Sequence, residues 1–387
     1  MPKYLKKFEN HTQYDNYING SGAILPNVSI CTTEGDVHYN PIETRVVCKY
    51  NVTSTSNPTQ IGYYSYLNNS FTEIEIDGEI QEGIFSEYTF STLGEHTVKY
   101  TLKNPTTLYA YTFQQCSAMT SVYIPDGVES IGDGCFHECL VLEKAKLPDT
   151  VTSIGKSVFW KNQKLSEINI PNGVTLLDAN CFYDCAFTSI GGVGSGAQFI
   201  IPDSVTNILD YCFEYNTKLV NVSIPNNVKY IGNHSFDNCQ NIKDVTIGNG
   251  LVTIGEYAFC HDSGITSVTF AAESSLKSLN QEVFKECSSL TSIILPDSLE
   301  QIGQSCFADC TSLVTVSLSS NIKYIYGYAF SRCNSIVNFS ITTVTPPTLV
   351  YNPLAGDYVI HVPSESLDTY KSNRYWSQYT SRLQAIT

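Results

Sequence analysis

The sequence predicts a mainly β protein wound as a right-handed solenoid of about ten coils, and three observations predict it. The first is a phenylalanine at Phe113, Phe136, Phe159, Phe182, Phe213, Phe236, Phe259, Phe284, Phe307 and Phe330, spaced 23, 23, 23, 31, 23, 23, 25, 23 and 23 residues apart. A near-fixed period of this length marks stacked supersecondary units. The second is a common skeleton around each Phe, V-x-x-I-G-x-x-x-F-x-x-C/N-x-x-L-x-x-I-x-I-P, complete from Val151 to Pro171. The third is an alternation inside it: Leu165, Ile168 and Ile170 are apolar while Ser166, Glu167 and Asn169 are polar, so a short strand there has one buried and one wet face.

Each element has a physical reason. Pro171 lacks an N–H and ends the strand, as do Pro125, Pro148, Pro202, Pro225 and Pro296 in their coils. V-x-x-I-G supplies a second short extended piece. A-F-x-x-C suits a tight helical or 3₁₀ turn that swings the Phe inward. One coil cannot cover its own apolar stripe, so neighbours stack on a shared core. The coil that carries Phe113 is the first, so truncating Phe113 is expected to cost less than truncating an inner Phe. The glycine after Ile is not held to a left-handed conformation, because Asp178, Leu209, Asn280 and Tyr326 take its place in other coils. Three residues after each Phe stands a small side chain able to hydrogen-bond: Cys116, Cys139, Asn162, Cys185, Asn216, Cys239, Asp262, Cys287, Cys310 or Cys333. It reads as a buried ladder that satisfies backbone groups where the chain turns. The alternative is metal or redox chemistry, since Cys135/Cys139, Cys181/Cys185 and Cys306/Cys310 lie four apart. That pairing is confined to these coils and no histidine recurs with it, which argues against a ligand set.

The run I-P-D-x-V-x-x-I-G-x-x-x-F-x-x-C-x-x-L resembles the BspA-like leucine-rich-repeat family of bacterial and protist surface proteins, over roughly residues 105–343. Pro346-Pro347-Thr348-Leu349, Tyr358 to Pro363 and Ser366 to Lys371 are similar to tails that follow such repeats. The resemblance implies a leucine-rich-repeat solenoid, displayed outside the cell for adhesion or recognition, and no catalytic residues. Two coils depart from the pattern: that of Phe182 carries eight extra residues around Gly191 to Gly196, and that of Phe259 two around Ala271 to Ser275.

Residues 1–104 lack the period. Thr12, Asp15 and Gly20 suggest a short helix within residues 1–20. Strands are expected over Arg45 to Val52, Thr72 to Ile76, Tyr88 to Phe90 and His96 to Leu102, with a hairpin at Asp77-Gly78. Short strands between turn residues suggest a small β-sandwich module, immunoglobulin-like. The runs K-K-F-E-N-H, Y-I-N-G-S-G, P-N-V-S and V-H-Y-N-P are similar to proteins of prophage-like regions of gut bacteria. Residues 344–387 are expected to cap the last coil, with Tyr375, Trp376 and Tyr379 as the covering groups.

Net charge is −15, from 22 Lys+Arg against 37 Asp+Glu, and no basic footprint for nucleic acid or anionic membrane is visible. No apolar run is long enough to span a membrane, and Lys3, Lys6 and Lys7 lead into polar residues instead of a secretory core. The 14 cysteines follow the repeat, not the framework of a small disulfide-bonded domain. The glycines of residues 191–196 lack the spacing and Lys of a phosphate cradle and read as a flexible surface loop. The seven histidines occupy unrelated repeat positions. No nucleophile elbow, zinc helix or EF-hand motif occurs, so neither an enzyme, a cofactor nor a metal is expected.

What remains is recognition. The expected function is non-catalytic binding of a host protein or glycan through the concave repeat surface; the alternative is a structural component of a phage or prophage particle docking through its N-terminal region. In L-x-x-I-x-I the outward residues line up from strand to strand. Between the isoleucines they read Tyr123, Lys146, Asn169, Ser223, Thr246, Thr269, Ile294, Ser317 and Ser340; one step earlier the column includes Ser121, Lys144, Glu167, Asn221, Asp244 and Ser267. Small polar and β-branched residues suit any sheet surface. The candidate binding residues are Tyr123, Lys144, Lys146, Glu167, Asn169, Asn221 and Asp244, with Tyr123, Lys144 and Lys146 the distinctive cluster.

Overall fold

Outward-facing residues of successive coils do lie side by side. The computed structural model describes residues 44–386; the expected N-terminal helix and the prophage-like runs fall outside them. Strands Met119–Tyr123, Lys144–Lys146 and Glu167–Ile168 pair in parallel, with Lys144 between Ser121 and Glu167 and Lys146 beside Tyr123. Farther along, Ser223, Thr246 and Thr269 are neighbours, as are Ile294, Ser317 and Ser340. The V-x-x-I-G pieces, two residues each, such as Tyr230–Ile231 and Thr253–Ile254, build a second parallel layer of a 3-stranded and an 8-stranded sheet, divided between Ser153–Ile154 and Leu176–Leu177.

The two irregular coils divide the first sheet. After Glu167–Ile168, the extra residues of the Phe182 coil place Phe199–Ile201 in parallel beside Ser189–Gly192, so this segment is strand as well as loop. The ladder breaks again between Ser267–Phe270 and Ser292–Ile294, after the two-residue insertion. Three sheet segments result, and the two interruptions of the sequence period mark both boundaries.

The ten Phe rings form one unbroken column. Neighbouring centroids lie 4.9–5.6 Å apart and ring planes differ by 2–13°. Beside it runs the expected ladder. Cys139, Cys185, Cys239, Cys287, Cys310 and Cys333 each donate from Sγ to the Phe carbonyl of the coil before, at 2.9–3.3 Å. Asn162 and Asn216 do the same from Nδ2 at 3.0 and 2.8 Å. All cysteines among the described residues are buried free thiols, and burial raises the pKa of Cys139 to about 12.

The turn around each Phe differs from the helical or 3₁₀ expectation. The residues two before and two after it have positive φ in every coil, as with Tyr211 and Tyr215, or His234 and Asn238. Only Gly134 among these positions is a glycine. The alternation turns the N–H groups of the three residues toward the following coil: Tyr211, Phe213 and Tyr215 donate to Asn233, Ser235 and Asp237 carbonyls at 2.8–3.0 Å. The glycine after Ile serves proximity instead. A Cβ on Gly155 would lie 2.7 Å from the Asp133 backbone nitrogen, and one on Gly132 2.4 Å from that of Ala110.

Both ends of the column are covered. Val46–Val52 pairs antiparallel with Gly94–Leu102 on one edge and with Met119–Tyr123 on the other, so the N-terminal sheet and the first repeat strand are continuous. Phe71–Ile76 and Glu79–Ile80 complete it, with the hairpin at Asp77-Gly78 as expected. Thr59–Gln60 and Glu87–Tyr88 form a separate antiparallel pair, and helix Tyr64–Ser70 had no sequence signal. Phe71 and Tyr100 pack on Phe113 at 5.6 and 5.1 Å, and Phe113 is fully buried. Phe113 is therefore not an end residue. At the other end, Thr348–Leu349, Val359–Val362 and Leu383–Ala385 add further rungs to the two sheets. Trp376 is fully buried, its indole N–H donating to the Pro347 carbonyl at 2.7 Å; Tyr379 and Tyr370 are buried beside it, whereas Tyr375 is only partly so.

Candidate functional site

The junction between the N-terminal sheet and the first coils holds a groove of about 520 Å³. Tyr123, Lys144, Lys146, Glu167 and Asn169 line it, together with Val47 and Lys49 from the strand that precedes the repeats. Parallel register puts the repeat residues on one face, and antiparallel pairing sets Val47 beside Tyr123 and Lys49 beside Ser121. Sequence reasoning missed Val47 and Lys49: their strand was legible, but its partner, some seventy residues downstream, was not.

Charge in the groove is partly matched. Lys144 Nζ lies 2.8 Å from Glu167, which raises the Lys144 pKa above its ordinary value. Lys49 Nζ lies 2.6 Å from Glu95. Lys146 sits over the Tyr123 ring, 5.4 Å from its centroid, and among the described residues no carboxylate pairs with it. Asn169 is engaged structurally. Its amide donates to the Leu147 carbonyl at 2.8 Å and accepts the Leu147 N–H at 3.0 Å, extending the ladder past the end of its own strand. Asn221 and Asp244 are exposed neighbours in the next sheet segment, beyond Ser189–Gly192 and Phe199–Ile201, and do not join the groove.

A second cluster of polar side chains lies on the turn edge. The histidines do occupy unrelated repeat positions, yet His234, two before its Phe, and His261, two after the next, converge on the Asp237 carboxylate. Offsets of opposite sign in adjacent coils cancel in space, which a search for a recurring histidine does not detect.

Stacked parallel strands, a Phe column and a side-chain ladder define a leucine-rich-repeat solenoid. The chain belongs to the family described as the BspA type leucine rich repeat region, matched in 6 copies over residues 84–195, 192–279 and 264–346. No curated protein matches it. Among solved structures it is similar to a leucine-rich cell surface protein of Faecalibacterium prausnitzii, at 24% identity over 61% of this chain and 76% of that one, with a TM-score of 0.39. It is similar also to a leucine-rich repeat protein of Bacteroides ovatus, at 22% identity over 75% and 95% and a TM-score of 0.35. A leucine-rich repeat protein of Eubacterium ventriosum is 18% identical over 63% and 78%, with a TM-score of 0.41. No helix among the described residues is long and apolar enough to cross a membrane.

Proposed function

We propose that this chain is a non-catalytic recognition protein of the cell surface or extracellular space, binding a glycan or host protein through the outward face of its repeat sheet. Family membership supports the class. The observation that carries the reading is the junction groove, where Tyr123, Lys146, Lys144 and Lys49 gather on a chain that is otherwise acidic. A tyrosine ring with an ammonium over it offers an apolar face and a charge to one polar ligand. The hydroxyls and amides farther along the strip add many weak contacts.

The test is a glycan and host-protein binding array with the intact chain, followed by titration of any ligand found. Tyr123→Ala with Lys146→Glu is expected to weaken binding at least tenfold, and Ser317→Glu in the last sheet segment to leave it within about twofold, since hot-spot contacts carry most of an interface's affinity. A larger loss from Ser317→Glu would move the site away from the junction.

A further inference from the structure

Glu214, Asp237 and Cys260 each follow the Phe of three consecutive coils, so their side chains form a short column on the turn edge. Glu214 and Asp237 are 9% and 4% exposed. Asp237 Oδ2 lies 2.8 Å from His234 Nδ1 and Oδ1 lies 2.9 Å from His261 Nδ1. The His234 ring is clamped between Tyr211 and Tyr257, at 4.9 and 4.6 Å with planes within 8° and 3°. No hydrogen bond from a described residue reaches the Glu214 carboxylate. Ligand atoms of Glu214, His234 and Asp237 all lie within 4.8 Å of one another.

We propose that Glu214, His234 and Asp237 bind a divalent transition-metal ion of the zinc type, with His261 as the positioning residue that holds the Asp237 carboxylate. Two carboxylates and an imidazole are suitable donors for such an ion, and three protein ligands leave a coordination position for water. Buried neighbouring carboxylates repel each other, and a cation between them removes that cost. The stacked His234 ring is already fixed in place, so little ordering remains on binding. His261 relates to Asp237 as an outer-shell histidine does to a ligating carboxylate. Asp237, Cys260 and His261 form a competing triad, but the His261 side chain is the more open of the two imidazoles, 38% exposed against 25% for His234, and lacks the two tyrosine rings that fix His234. The ion would join the coils of Phe213 and Phe236 directly and that of Phe259 through His261.

The test is zinc titration of the tag-free full chain after chelator treatment, read by calorimetry and by thermal unfolding. The expected result is one zinc per chain and a rise in melting temperature on saturation. His234→Ala and Asp237→Asn should weaken binding at least a hundredfold, His261→Ala about 10–100-fold, and Cys260→Ser less than twofold. Cobalt bound to the unmutated chain should show no thiolate charge-transfer band, a readout that needs no variant to fold. Absence of zinc binding would overturn the site. A thiolate band, or loss of binding in Cys260→Ser with retention in His234→Ala, would overturn the ligand assignment, and an unchanged His261→Ala would overturn the positioning role.

Discussion

Two columns run side by side through the same ten coils and obey different rules. The Phe column admits one residue type throughout, whereas the ladder column beside it takes Cys, Asn or Asp. The first needs volume and a flat ring, because each ring is the wall against which the next one packs. The second needs one small donor aimed at a carbonyl, which a thiol or an amide meets equally well. Tolerance in a repeat protein therefore follows the kind of interaction, not the depth of burial, since both columns are fully buried.

The largest effect expected is in the Phe column. Phe236→Ala should destabilise by about 3–5 kcal/mol. Phe113→Ala should cost a similar amount, because Phe71 and Tyr100 enclose it as another coil would. Denaturant unfolding of both variants checks this; a Phe113 loss below half of the Phe236 loss would mean that the N-terminal sheet covers the column without packing on it.

Asp262 should break the ladder rule in a measurable way. Its Oδ1 accepts the Cys239 N–H at 2.6 Å, while Oδ2 is buried without a partner. Burial holds the carboxyl well above its ordinary range. An unfolded chain ionises it near pH 3.9 and the folded one keeps its proton, so folding loses stability as pH rises above about 4. Asp262→Asn supplies the amide found at Asn162 and Asn216. It should stabilise by about 1–3 kcal/mol near neutral pH and by progressively less toward about pH 4. Thermal unfolding in chelator across that range tests it; a gain independent of pH would discount the buried carboxyl. The smallest effect belongs to Cys239→Ser, whose hydroxyl can donate to the Phe213 carbonyl in place of Sγ. It should cost less than about 1 kcal/mol, and a loss as large as that of Phe236→Ala would merge the two columns into one rule.

What the sequence made legible was whatever repeats. The period located each Phe, the I-x-I alternation set the register that puts Lys146 beside Tyr123, and the two irregular spacings marked where the sheet divides. Long-range pairing without a period was not legible. Nothing in Val46–Val52 announces that its far edge joins Met119–Tyr123, so the sequence supplied five of the groove's residues, Tyr123, Lys144, Lys146, Glu167 and Asn169, and lacked Val47 and Lys49. The left-handed turn residues were hidden for another reason. Tyr, His, Glu, Asp and Lys fill positions where glycine would have been the signal, and the bonds to the next coil offset the strain. Residues 1–43, on which the prophage-like similarity rests, lie outside the described structure.

The aligned N–H groups around each Phe give the turn edge an electrical direction. From Tyr111 to Asp309 each trio of donors points to the next coil, so the peptide dipoles of nine coils add head to tail as in a helix. The N-terminal end of this edge is its carbonyl, negative pole, and the C-terminal end its amide, positive pole. The flanking segments match those signs. The Tyr63 N–H and Gln60 Nε2 meet the Thr112 and Gln114 carbonyls at one end, and the Pro353 carbonyl meets the Phe330 N–H at the other. Deleting either flank would thus uncover a pole as well as an apolar face, and the exposed C-terminal edge would attract anions while the exposed N-terminal edge attracted cations.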